Sequence, residues 1–200
     1  MARALVVALL LATAACTGSA SATGRNGPLA GGGDNPGEGV GQAITASVEL
    51  QPYTMGAMTL CTHGKPIVLD KVEVDQTAGS ITLDAVGVRQ FVPGGTGAEH
   101  EGTNAEGPMP VGTGIGPVGG FTVKRSCKDE SAGKVTELVM QIHRGKGTAT
   151  LNGLKITYRV GNQKFVTGYP YTATLCDKTQ IDNPQECQRM LPTSKDVRPN

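Results

Sequence analysis

Apolar and polar residues alternate with a period of two along most of the chain after residue 42, as in β-strands with one buried face. The clearest case is 135–144, which is predicted to turn its apolar residues to the core and its polar residues to water. The first set is Leu138, Met140 and Ile142, and the second is Glu137, Gln141 and His143. The other segments with a strand pattern are 44–50, 57–62, 66–75, 80–92, 121–127, 148–151, 154–160 and 163–176.

Local sequence signals predict where these strands turn and bend. Gly161-Asn162 lies between two strand patterns and predicts a tight hairpin. Pro170 lies inside the last pattern and lacks the N–H that a sheet requires, so this strand is predicted to be bulged there or to lie at an edge. The apolar positions of 80–92 change phase near Ala85, which predicts a second bulge.

About eight or nine short strands without a helical pattern favour an all-β fold, an antiparallel sandwich of two sheets. The strand patterning resembles that of immunoglobulin-like sandwiches, although the chain carries no diagnostic motif and no tryptophan. A partly closed β-barrel is the alternative fold.

The segment 93–120 interrupts the strand patterns with a sequence that is rich in glycine and contains four prolines. Loops longer than about 12–15 residues are usually either functional or disordered. The shortage of apolar side chains favours disorder here. The alternative is a loop that docks on the sandwich through its few apolar residues, which are Met109, Val111, Ile115 and Val118.

The N-terminus carries one cation, Arg3, then an apolar run of about nine residues from Ala4 to Ala12, and small residues before Cys16. A helix needs about 20 apolar residues to cross a bilayer, so this run suits a signal peptide. The segment resembles the signal peptide of bacterial lipoproteins. The resemblance implies removal of residues 1–15 and lipidation of Cys16.

The same resemblance places the protein on the extracytoplasmic face of the cell membrane, held by a lipid on Cys16. The alternative is ordinary secretion with cleavage after Ala15 or Ala22. Residues 16–41 are mostly small or polar and offer little to bury, so they predict a flexible, Gly-rich tether. The remaining residues, 42–200, are enough for one domain.

Four further cysteines form an even set in an oxidising compartment, where disulfides are the default. Four cysteines allow three connectivities. We favour Cys61–Cys127 and Cys176–Cys187, because the second bridge would fasten the C-terminal tail after the last strand.

The chain has 18 Lys and Arg against 17 Asp and Glu, and removal of Arg3 with the signal peptide leaves equal numbers. An electroneutral chain argues against nucleic acid as a partner, because nucleic acid requires a basic face. Electroneutrality also argues against strong attraction to anionic lipid headgroups. The absence of Trp and the presence of only four Tyr and three Phe disfavour a carbohydrate-binding surface.

The sharpest cluster of candidate metal ligands is Met55, Met58 and His63, since thioether and imidazole groups suit copper. The competing interpretation is that Met58 shares the parity of a buried strand face. No cofactor is predicted. A hydrolase is a further alternative, although no Gly-x-Ser-x-Gly motif occurs.

The sequence therefore leads us to expect a lipid-anchored, non-catalytic sandwich that binds a protein or another envelope ligand. The two alternatives from other classes are a copper-binding protein and a hydrolase.

Replacing the predicted lipidation site tests the anchoring directly. Cys16→Ala is expected to move the protein from the membrane fraction to the soluble fraction, because the lipid is then absent. A fatty-acid analogue should label only the unsubstituted protein. An unlabelled wild-type protein found wholly in the medium would show that the lipoprotein interpretation is wrong.

Overall fold

The computed structural model describes residues 22–23, 27–31, 40–46, 51–92, 104–110, 114–129, 134–177, 179 and 183–191. Cys16 and Val111 lie outside these residues, so lipidation stays a prediction. The strands are β1 (Ala22–Thr23), β2 (Leu29–Gly31), β3 (Val40–Ala46), β4 (Pro52–Thr62), β5 (Ile67–Ala78), β6 (Ile81–Phe91), β7 (Asn104–Glu106), β8 (Gly116–Pro117), β9 (Thr122–Val123), β10 (Val135–Arg144), β11 (Ala149–Val160) and β12 (Gln163–Asp177). The described part also contains a short helix, α1 (Pro184–Arg189), and no helix there is long and apolar enough to cross a membrane.

The strands form two sheets that share one core. Sheet A has the order β1-β12-β11-β5-β9, and β3 also pairs with β12. Sheet B has the order β2-β4-β10-β6-β8, and β7 also pairs with β4. β1 and β3 run parallel to β12, whereas the other pairs are antiparallel. An isolated bridge, Thr62 to Ser126, joins β4 to the segment after β9. The described residues fit the predicted all-β sandwich and form no closed barrel.

The core lies between the sheets, and its centre comes from β10 and β11. Leu138, Met140 and Ile142 of β10 are fully buried, as the alternation predicts. β11 and β12 form the predicted hairpin around Gly161-Asn162. The inward residues of β11 are also fully buried and are Leu154, Ile156 and Tyr158.

The outer face of β10, which is turned away from sheet A, departs from the prediction. Glu137 is only 5% exposed, and Gln141 and His143 are half-buried. Val139, on the same face, is fully buried. Alternation assigns one face of a strand to water, and for Glu137 that assignment is wrong. Other parts of the chain lie on this face, and they belong to segments distant in sequence.

The bulge predicted near Ala85 is present in β6. Gln141 of β10 faces Ala85 and Ile142 faces Leu83, so Asp84 is the extra residue. An extra residue bends the strand and redirects its side chain. The bulge therefore determines where the Asp84 carboxylate points.

The bulge predicted at Pro170 is also present. The register shifts between Asn152 and Leu154, so that Pro170 and Tyr171 of β12 together face only Gly153 of β11. Proline cannot donate to a sheet, and a bulge is one of the few places that accept it. The long strand β12 therefore continues past its proline without losing its partner.

The N-terminal boundary of the domain needs correction. β1, β2 and the first residues of β3 fall inside the predicted tether, 16–41. Leu29 is only 5% exposed, and Tyr169 Oη donates a hydrogen bond of 2.9 Å to its carbonyl oxygen. A Cβ at Gly27 would collide with the Tyr158 hydroxyl. Edge strands of small residues are held by backbone hydrogen bonds, which composition does not reveal.

The two disulfides have the favoured connectivity. Cys61–Cys127 joins the end of β4 to the segment after β9, with the Cα atoms 4.9 Å apart. Cys176–Cys187 joins the end of β12 to α1, with the Cα atoms 5.9 Å apart. Both Cys176 and Cys187 are fully buried, so the second bridge holds the helix against sheet A.

Removing each bridge by paired Cys→Ala substitutions is expected to destabilise the domain unequally. The Cys61–Cys127 bridge spans 66 residues of sequence and the Cys176–Cys187 bridge spans 11. The loop-entropy relation gives about 4 kcal/mol for the longer loop and about 3 kcal/mol for the shorter one. Urea denaturation of the two double variants measures the difference. A larger loss from the shorter bridge would contradict the entropic ranking.

Candidate interaction face

Residues 104–110 and 114–120, which we call the strap, pair with both edges of sheet B, and Met109 and Ile115 lie over its outer face. The strap begins as β7, which pairs with the start of β4. Gly107 N–H donates to Pro52 O at 2.7 Å, and Thr54 Oγ1 donates to Gly107 O at 2.9 Å. For these residues the expectation of disorder in 93–120 is wrong, and the docking alternative describes them.

The strap reaches the opposite edge of sheet B and continues to sheet A. There β8 pairs with β6 at Gly87 and Val88. Val118 is 7% exposed and belongs to the core. Gly120 N–H then donates to Leu69 O, and Leu69 N–H to Phe121 O, both at 2.8 Å. The strap is therefore attached to both edges of sheet B and to β5 of sheet A.

Gly87 in sheet B allows the strap to approach closely. Gly56 and Gly87 lie on either side of Val139 in neighbouring strands. A Cβ at Gly87 would collide with the Ile115 side chain and would lie 3.0 Å from Met109 Sδ. Gly87 thus leaves a shallow trough, and the side chains of Met109 and Ile115 lie against it. Their approach explains why Val139 is fully buried on an outward-facing position.

A chain of hydrogen bonds connects the strap to the Asp84 bulge. Met109 N–H donates to Gln141 Oε1 at 2.7 Å, and Gln141 Nε2 donates to Asp84 Oδ2 at 3.3 Å. Asp84 Oδ1 lies 2.6 Å from His143 Nδ1. Gln141 uses both ends of its amide, so it joins the strap backbone to the carboxylate.

The Asp84–His143 pair has a defined chemistry. A carboxylate acceptor assigns the Nδ1 proton to the imidazole and leaves Nε2 as the free nitrogen. The side chains of His143 and Asp84 are 32% and 23% exposed, so solvent reaches the pair. An imidazole oriented by a carboxylate is also the base part of a nucleophilic dyad.

A buried ion pair lies on the same face. Arg89 Nε donates to Glu137 Oε2 at 2.6 Å, and both side chains are 7% exposed. The Arg89 guanidinium also lies over the Phe91 ring, 5.1 Å from its centroid. Burial raises the pKa of Glu137, while the hydrogen bond and charge of Arg89 act in the opposite direction. The Arg89–Glu137 pair on this face of β10 is therefore shielded from water, as in a protein interior.

The structure does not bring the predicted copper ligands together. Met55 is fully buried, and its Sδ lies 3.9 Å from Tyr171 Oη. Met58 is 7% exposed and belongs to the core, whereas His63 is exposed in the turn after β4. Among the described residues, no three His, Cys, Asp or Glu side chains are grouped to hold a metal ion.

Sequence reasoning did not single out Asp84, Gln141 or Gly87. The phase change near Ala85 marks the bulge, but it does not say which side chain the bulge redirects. Gly87 inside a strand is a signal for close backbone approach, and it could have indicated the trough.

Comparison with known proteins gives no match to a family model, a curated protein or a solved structure. The functional argument is therefore made from the residues of this chain and their geometry.

Gly87→Ala is expected to displace the strap and destabilise the domain, because the new methyl group overlaps Ile115. Overpacked positions typically cost about 1–3 kcal/mol. Urea denaturation measures the loss, and limited proteolysis is expected to cut within 104–118 sooner than in the wild type.

Gly116→Ala is the matched control. It lies in the strap opposite Val88, and its Cβ would meet nothing nearer than Val88 O at 4.0 Å. An equal response of the two variants would show that Gly87 is not a site of close contact.

Proposed function

We propose that this protein is a lipid-anchored, extracytoplasmic interaction module whose binding surface is the strap on sheet B. The strap is the observation that carries the proposal. It is an irregular segment fixed on a rigid sheet, and binding residues of proteins are concentrated in such segments. Its outward residues include Glu106, Pro108, Pro110 and Pro117, all exposed.

Location is supported by two independent features. The N-terminal segment up to Cys16 resembles a lipoprotein signal peptide, which implies export and anchoring. The two disulfides fit an oxidising compartment outside the cytoplasm. The proposed ligand is a protein or another component of the cell envelope.

We further propose that the sandwich is immunoglobulin-like. The constant-type arrangement has four strands on one sheet, ordered ABED, and three on the other, ordered CFG. With β2, β4, β5, β6, β10, β11 and β12 taken as A to G, the orders β2-β4-β10-β6 and β5-β11-β12 support this assignment. The bridge between Cys61 and Cys127 differs from the B–F disulfide of antibody domains, because Cys127 lies before β10.

A photo-crosslinking residue placed at Pro110 tests the proposed binding surface in intact cells. It is expected to give a discrete adduct, whereas the same residue at the exposed Lys71 on sheet A is expected to give none. Introducing Gly87→Ala should reduce the Pro110 adduct several-fold, because the strap is displaced. Equal adduct yields from both positions would argue against the strap as the binding surface. A Pro110 adduct whose yield does not change with Gly87→Ala would argue against it as well.

The hydrolase alternative has one observation in its favour, which is the oriented Asp84–His143 pair. An activity-based probe for serine and threonine hydrolases tests it. Labelling that is lost in His143→Ala would support hydrolysis. Absence of labelling in the wild type would remove this observation as support.

A further inference from the structure

Several turns lie together at one end of the sandwich, where the N-terminal strands join it. The turn 63–66 joins β4 to β5, and the hairpin turn 161–162 lies beside it because Arg159 pairs with Val68. β10 also begins at this end, since Thr136 pairs with Leu60. We call this the entry end.

The N-terminal strands join the sandwich at the entry end. Leu29 pairs with Thr62, and His63 N–H donates to Pro28 O at 2.7 Å. Upstream, Ala22 pairs with Phe165, just after the hairpin turn. Ala22 is the sixth residue after Cys16. A fully extended chain of that length spans about 20 Å, so a lipid on Cys16 would keep this end close to the bilayer.

The entry end carries a cluster of basic side chains from separate parts of the chain. The exposed members are Lys65, Lys124, Lys128, Lys134 and Lys164, and half-buried Arg125 lies among them. The disulfide to Cys61 and the hydrogen bond from Thr62 N–H to Arg125 O, 2.9 Å, hold the segment 124–128 beside the turn 63–66.

Few acidic residues of the described chain offset this charge. Asp129 lies in the same segment, where its carbonyl accepts a hydrogen bond from Arg125 Nη2 at 3.0 Å. Asp70 is paired with Arg159 at 2.8 Å, so that pair is neutral. Glu106 and Asp177 lie toward the opposite end, at the start of β4 and the end of β12. Among the residues that the structure describes, bases therefore outnumber acids at the entry end.

We propose that the entry end is a docking surface for anionic phospholipid headgroups. The proposal rests on the lipid anchoring proposed above, because the short link from Cys16 brings this end to the bilayer. Cations within a Debye length of an anionic surface, about 8 Å at physiological ionic strength, are attracted to it. The lipid anchor and the basic end together would fix the orientation of the domain. The strap would then lie on the side of the domain.

Vesicle binding of an unlipidated chain tests the surface without relying on the anchor. The protein is the full chain after the signal peptide with Cys16→Ser, and the probes are phosphatidylglycerol–phosphatidylcholine vesicles and pure phosphatidylcholine vesicles. Co-sedimentation is expected only with the anionic vesicles. In about 1 M salt, where the Debye length is about 3 Å, binding is expected to disappear.

Charge variants locate the surface. Each cation near an anionic membrane contributes roughly fivefold to the affinity, so Lys124→Gln with Lys164→Gln should weaken binding roughly 25-fold. The matched control is Lys146→Gln with Arg189→Gln, two exposed cations distant from the entry end. The control should change binding little.

Three results would overturn the proposal. They are equal binding to neutral vesicles, equal weakening by the two pairs of substitutions, and binding to a soluble anionic polymer but not to anionic vesicles. Failure of the lipid anchor alone has a different signature. Wild-type protein would then be unlabelled by the fatty-acid analogue, while the vesicle results would stand.

Discussion

The structure depends on one constraint, which is that the part of β10 around Val139 is buried on both of its faces. Leu138 and Met140 are fully buried toward sheet A, and Val139 is fully buried on the opposite face. A strand buried on both sides requires a third layer. Met109 and Ile115 supply part of it by lying against Gly87.

The third layer also organises the polar groups of that face. Gln141 joins the strap backbone to Asp84, and Asp84 orients His143. The Arg89–Glu137 pair sits on the same face with little access to water, so each charge has the other as its partner. The strap then leaves sheet B and attaches to Leu69, so it links both sheets.

Features with a local cause were predictable from sequence, and features that join distant segments were not. The buried face of β10, the hairpin at Gly161-Asn162 and the bulge at Pro170 each follow from a few adjacent residues. Burial of the strap depends on partners more than 30 residues away, such as Gln141 for Met109. Its attachment uses backbone groups that every sequence has. The basic end was hidden for the same reason, because its lysines come from separate segments.

Amide hydrogen exchange of the native protein tests most directly whether the strap is part of the fold. The donors Gly107, Met109 and Gly120 bond to Pro52, Gln141 and Leu69. The account predicts that these three amides are protected to an extent approaching that of the β10 amides, because the strap covers a buried face. Exchange of all three at the rate of an unstructured chain, with β10 still protected, would contradict it.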